Sequence, residues 1–225
     1  REEVDMDTVV VLQGGKRVAF TAKIRGAEAF VRPDDQVFGR IVGYLGHDGK
    51  SGCGAIFTNV RVVCANTMAM AERSRNQTAI THRTGANENF DKLINSINCA
   101  RQNFELEVTS MDSMANTPIN DDLAREFFKQ VYAKQLAVPV ETDDGPRDRT
   151  LDDLRVYKHI VHAYKQGMGA APGTVWGAVN AVTQVETSTK LGKMVNRFHR
   201  ANFGAGLEMS RRTMSVARDF VEHLA

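Results

Sequence analysis

The hydrophobic period changes once along this chain, near residue 65, and that change restricts the fold more than any bulk property. Before it, apolar residues alternate or gather in short β-branched runs; after it, they recur at helical spacing. Asp7 to Leu12 holds Val9, Val10 and Val11, and Gln13-Gly14-Gly15-Lys16 follows as a turn. Arg17 to Ile24 then alternates Val18, Phe20, Ala22 and Ile24. Pro33-Asp34-Asp35 marks another turn, Gln36 to Leu45 a third strand, His47-Asp48-Gly49 a further turn, and Cys53 to Cys64 a long fourth arm. Two hairpins in one antiparallel sheet of about four strands are expected over 7–64.

From 66 to 225 the pattern predicts helices. Asn66 or Thr67 would cap a short helix over Met68 to Arg75, and Asn87 the next, whose stripe is Phe90, Leu93, Ile94, Ile97, Phe104, Val108 and Met111 with Arg101 as its polar break. Thr117-Pro118 would open a third helix through Leu123, Phe127 and Val131. Glu141 to Arg149 reads as a polar loop, and Leu151, Leu154, Val161 and Tyr164 as the start of a fourth helix, broken by Gly167 to Gly173. Thr174 would cap a fifth helix carrying Trp176, Val179, Val182 and Val185; a last one, Leu207 to Leu224, would turn Met214, Ala217, Phe220, Val221 and Leu224 inward. Strands followed by helices imply a single α+β domain over 1–225: N-terminal hairpins packed by a long helix, then a helical C-terminal half.

Composition removes several function classes. An apolar share of 42% and a charged share of 25% are ordinary for a globular protein, and a net charge of +2 gives no global signal for polyanions. Cys53, Cys64 and Cys99 show no CxxC spacing, so reduced, mostly buried thiols in a cytoplasmic protein are expected. No apolar run approaches the ~20 residues that span a bilayer. The opening residues do not follow a signal-peptide pattern, and a first residue of Arg rather than Met leaves room for residues upstream.

The run Asp35-Gln36-Val37 … Gly46-His47-Asp48-Gly49 … Thr58-Asn59-Val60-Arg61-Val62-Val63-Cys64-Ala65-Asn66-Thr67 joins turn, strand and cap chemistry. It resembles the core signature of a bacterial and phage family, the phage/plasmid-like proteins, known as domain of unknown function 932. Ile80-Thr81-His82-Arg83-Thr84-Gly85 is similar to the family's His-Thr segment. Thr174-Val175-Trp176-Gly177-Ala178-Val179-Asn180-Ala181-Val182-Thr183 is similar to its Trp-Gly-Ala segment, with Val179 where the family often has Tyr. Phe203-Gly204-Ala205-Gly206 resembles its closing Phe-Gly-x-Gly. The family has no settled activity, and its members' setting in phage and plasmid genomes implies DNA metabolism by association. Hairpins followed by a long helix also look similar to single-strand annealing recombinases of the Rad and Redβ type, which is analogy of architecture.

Catalytic readings are weak at every position. His159 and His162, three apart on a helix, lack the further ligands of a metal site. His47 reads as a turn residue before a catalytic base, and His82-Arg83-Thr84 as a loop tied to the sheet before a phosphate grip. Cys64 ends a β-branched strand and has no base with an orienting partner. The acids Glu141, Asp143, Asp144, Asp148, Asp152 and Asp153 are candidates for Mg²⁺, but a solvated loop and helix-start charge account for them. Gly14-Gly15-Lys16 lacks P-loop spacing. Trp176 is expected in the core or at a subunit contact, and Asn180 bridging to backbone. No catalytic residue, metal or cofactor is expected.

The strongest positive signal is basic. Lys190, Lys193, Arg197, Arg200, Arg211 and Arg212 stand against the single acid Glu208, with Phe198, His199 and Phe203 interleaved. Cations alternating with flat rings suit single strands, whose phosphates pair with the former while bases stack on the latter. A solvated amphipathic stretch with inward Phe side chains is the competing account. A second set, Lys16, Arg17, Lys23, Arg25, Arg40, Lys50 and Arg61, lies on hairpins and turns. The expectation is a non-catalytic, homo-oligomeric protein, in a ring or filament, that binds and anneals single-stranded DNA. The rivals are a protein-interaction or regulatory module and, behind it, a metal-dependent nuclease.

Overall fold

The computed structural model describes residues 4–47, 53–61, 66–69, 77–80, 86–167, 170–188 and 204–224. Its sheet begins as an antiparallel meander of β1 (Val4–Leu12), β2 (Arg17–Arg32), β3 (Asp35–Gly46) and β4 (Cys53–Arg61). The β1–β2 turn uses Gly14 at φ 66° and Gly15 at φ 94°, a left-handed pair that only glycine adopts without strain. β2 runs past its expected end at Ile24. It does so through Gly26 (φ 76°), where its pairing with β3 slips between Lys23 and Glu28. That bulge lets one strand continue around a bend.

The sheet is larger than the sequence pattern indicates. Asn66–Ala69 is a strand, β5, paired with Thr58–Arg61, and Gln77–Ile80 is β6, paired with Cys53–Ile56. Asn66 and Thr67 therefore do not cap a helix. Their side chains suit a cap, but β4 offers a row of backbone partners on its outer edge, and pairing with it overrides local preference. The rest of the expected helix, 70–75, lies outside the described residues.

The helices are α1 (Ala86–Asn116), α2 (Asp121–Val131), α3 (Ala133–Leu136), α4 (Tyr157–Gln166), α5 (Val175–Ser188) and α6 (Ala205–Leu224). Asn87 sits inside α1 rather than capping it. Thr117-Pro118 does not open α2. Asn120 caps it, its side-chain oxygen accepting the Leu123 N–H at 2.8 Å, and Asp121 and Asp122 fill the first turn. Thr117 and Pro118 are instead laced to the start of α5: Val175 N–H donates to the Thr117 carbonyl at 3.1 Å and Ile119 N–H to the Gly173 carbonyl at 2.9 Å. Leu151 begins only a 3-10 turn, and α4 starts at Tyr157.

One core joins the sheet to the helices. Ile97, Ala100, Phe104, Met111 and Met114 of α1 are buried with Ile24, Val37, Ile41 and Phe57 of the sheet. A Cβ on Gly39 of β3 would lie 2.9 Å from Ala27 Cβ and 3.5 Å from Phe104, so glycine lets helix and strand approach there. The α5 residues Val175, Trp176, Val179, Val182 and Val185 are all buried, as their spacing predicts, whereas Leu224 of α6 is exposed. Cys99 is also exposed, against the expectation of buried thiols. Among the described residues no helix is long and apolar enough to cross a membrane.

Candidate nucleic-acid interface

The two faces of the sheet differ in chemistry because strand side chains alternate. Val37, Gly39 and Ile41 of β3 face α1; Phe38, Arg40, Val42 and Tyr44 face the other way. The β2–β3 register sets Lys23 opposite Arg40 on that second face and Glu28 opposite Phe38. Lys23 Nζ lies 4.4 Å and Arg40 Cζ 5.3 Å from the centroid of the Phe38 ring, so one aromatic plane carries two cations. Phe30, opposite Gln36 on the same face, is 63% exposed.

Acids balance part of this charge. Asp7 is the extra residue of a bulge in β1, between Met6 and Thr8. Its carboxylate accepts from Thr21 Oγ1 at 3.3 Å and pairs with Arg40. Burial pulls the Arg40 guanidinium below its usual pKa, and Asp7 opposes that shift. Arg25 Nε donates to Asp5 at 3.0 Å, and this hydrogen bond, opposed by weaker desolvation, holds the Asp5 carboxyl below the usual range. Toward the β1–β2 turn the face becomes apolar: Val10, Leu12 and Ala19 form a small second cluster packed by Tyr44, whose ring lies over Gly54. The centre of this face is thus a buried ring, Phe38, beside two half-buried cations, and its rim carries an open ring, Phe30.

Of the residues the sequence singles out, Arg17, Lys23, Arg25 and Arg40 are brought together on this face. Phe30 and Phe38 belong with them but carry no local signal; only the β2–β3 register places a ring between Lys23 and Arg40. Lys50, Lys190, Lys193, Arg197, Phe198, Arg200 and Phe203 lie outside the described residues, as do Cys64 and His82. Arg61 ends β4, opposite Val37 and Asn66. Arg211 and Arg212 are half-buried on α6, and Arg212 Nη2 donates to the Gln130 carbonyl at 3.2 Å, which ties α6 to the end of α2.

Two acids of the 141–153 segment, Asp152 and Asp153, point at guanidinium groups. Arg147 grips Asp153 with two hydrogen bonds of 2.8 and 2.6 Å, and Arg125 reaches Asp152 at 2.6 Å. Arg147, helped by the Thr150 N–H, holds the Asp153 carboxyl far below the usual carboxylate range. His159 and His162 are exposed on α4, and His47 follows β3, its N–H donating to the Lys16 carbonyl at 2.8 Å. Among the described residues no three His, Cys, Asp or Glu side chains converge as a metal site.

Two of the segments that carry the family resemblance meet in the core. Trp176, fully buried, donates from Nε1 to Asp35 Oδ2 at 2.7 Å across 141 residues, and Asp35 is itself 1% exposed. Thr174 caps α5 by accepting the Gly177 N–H at 3.0 Å, as its sequence position predicts. A Cβ on Gly177 would fall 1.9 Å from the Ala171 carbonyl oxygen, so glycine is required at that crossing. Asp35 and the Trp-Gly pair thus lock sheet to helix. No curated protein and no solved structure matches the chain significantly. One family model does, over residues 1–218, and by that match the chain belongs to the family described as Domain of unknown function (DUF932).

Proposed function

We propose that this protein binds single-stranded DNA and promotes annealing of complementary strands as a homo-oligomer, in a phage or plasmid setting. The observation that carries the reading is the outer sheet face, where Lys23 and Arg40 flank the Phe38 ring and Phe30 stands exposed beside them. An exposed ring beside cations suits a flexible strand, because every base has a face to stack and every nucleotide a phosphate to neutralise. Annealing requires no bond-making chemistry: backbone repulsion is reduced while base edges stay available for pairing. The Lys190–Arg212 stretch supplies further cations in the same reading.

The test is fluorescence anisotropy of a labelled single-stranded oligonucleotide at two salt concentrations, followed by an annealing assay. Salt-sensitive binding is expected. Phe30→Ala should weaken it roughly fivefold or more, since stacking on one ring is worth about 1–3 kcal/mol. Lys23→Ala should lower the steepness of the salt dependence by about 0.7, the value for one phosphate on a single strand. No binding at low salt would refute the reading.

A further inference from the structure

The two edges of the sheet are finished differently. On one side β5 and β6 lie end to end along β4, and α5 and α6 pack against β5. The other edge is β1, nine residues long and hydrogen-bonded among the described residues only to β2. Met6, Val9 and Val11 of β1 are 60%, 61% and 59% exposed. Edges of this kind recruit further strands unless lysine, proline or a bulge blunts them. The bulge at Asp7 bends only the start of β1; Thr8–Leu12 pairs with β2 without interruption and contains neither proline nor charge.

We propose that β1 is a self-association interface, pairing antiparallel with β1 of a second copy about a two-fold axis through Val10. Two observations select a second copy. First, the uninterrupted stretch Thr8–Leu12 is centred on Val10, so this axis sets Val9 opposite the second copy's Val11 and Thr8 opposite its Leu12. The exposed valines then cover each other on one face, as directly opposed strand residues do. Second, the strand is charged unequally along its length, with Asp5 and Asp7, which also pair with Arg25 and Arg40 of their own chain, near its start and Lys16 and Arg17 just beyond its end. Antiparallel pairing brings each acidic end beside the other copy's basic turn, whereas parallel pairing would stack like charges. Such a contact is isologous, the commonest way for identical chains to pair. Its axis stands perpendicular to the sheet, so the Lys23, Phe38 and Arg40 surfaces of both copies lie on one side of a continuous sheet.

The interface does not rest on DNA binding, and its test is made without DNA. Mass is measured by sedimentation equilibrium over a range of concentrations for the wild type, the Val9→Lys/Val11→Lys double variant and Phe30→Lys as a control. Both altered positions of the double variant are solvent-exposed, and its folding is checked by circular dichroism. A concentration-dependent dimer is expected for the wild type and the control, and a folded monomer for the double variant. The axis is checked separately: Val10→Cys should give a disulfide-linked dimer on mild oxidation, while Val9→Cys and the wild type should not, because only position 10 meets itself. A wild type that is monomeric throughout, a double variant of unchanged mass, or a dimer that Val10→Cys fails to link would overturn the proposal. Salt-sensitive DNA binding by a monomer would overturn the interface and the homo-oligomeric part of the proposed function, and leave single-strand binding standing.

Discussion

Asp35 and Trp176 show how far a single side chain can be read in advance. Burial of Trp176 follows from a helix that is apolar on more than one face. Its partner does not, because Asp35 looks like an ordinary turn residue after Pro33, and only the folded chain brings the two within 2.7 Å. Trp176→Phe keeps most of the apolar volume but removes the buried donor. It should cost about 1–3 kcal/mol in urea unfolding, the range for a buried acceptor deprived of a hydrogen bond. Among the described residues, the Asp153 carboxyl is the one held furthest below its ordinary value. Its folded pKa lies below the ordinary aspartate value of about 4. The ionised carboxylate therefore stabilises the fold above that pH, and the contribution is lost as pH falls through the folded value. Thermal melts between pH 6 and pH 2 should show wild type and Asp153→Asn differing at the upper end and converging toward the lower.

At the scale of elements, the existence of helices and strands was more legible than their ends. The alternation of Val18, Phe20, Ala22 and Ile24 on one face of β2 and the full burial of α5 follow from period alone. The continuation of β2 to Arg32 does not, because it depends on a bulge that only pairing with β3 sustains. The start of α2 illustrates competition between caps. Thr117-Pro118 and Asn120-Asp121-Asp122 are both plausible openings, and backbone hydrogen bonds to Gly173 and Val175 hold the first pair in an extended connection. Asn120→Ala should destabilise the protein by about 1 kcal/mol in chemical denaturation, the usual cost of losing an N-cap side chain. Thr117→Ala removes no such cap and should cost less.

At the scale of the whole molecule, the one change of hydrophobic period determined the α+β class, the hairpins ahead of the long helix and the burial of the Trp-Gly helix. These are local consequences of which residues can bury an apolar face, and each can be read within ten or twenty positions. The candidate interface was legible only in part. Arg17, Lys23, Arg25 and Arg40 stood out as cations, but nothing local joined them to Phe30 and Phe38, or set Asp5 and Asp7 against two of them. Tertiary structure decided these matters, along with the strand identity of Asn66–Ala69, the Asp35–Trp176 bond and the open edge at β1. The physical reason is shared: strand register and edge pairing are contacts between segments far apart in sequence. Their partners are chosen by backbone hydrogen bonding and packing across the sheet rather than by the preferences of the residues that make them.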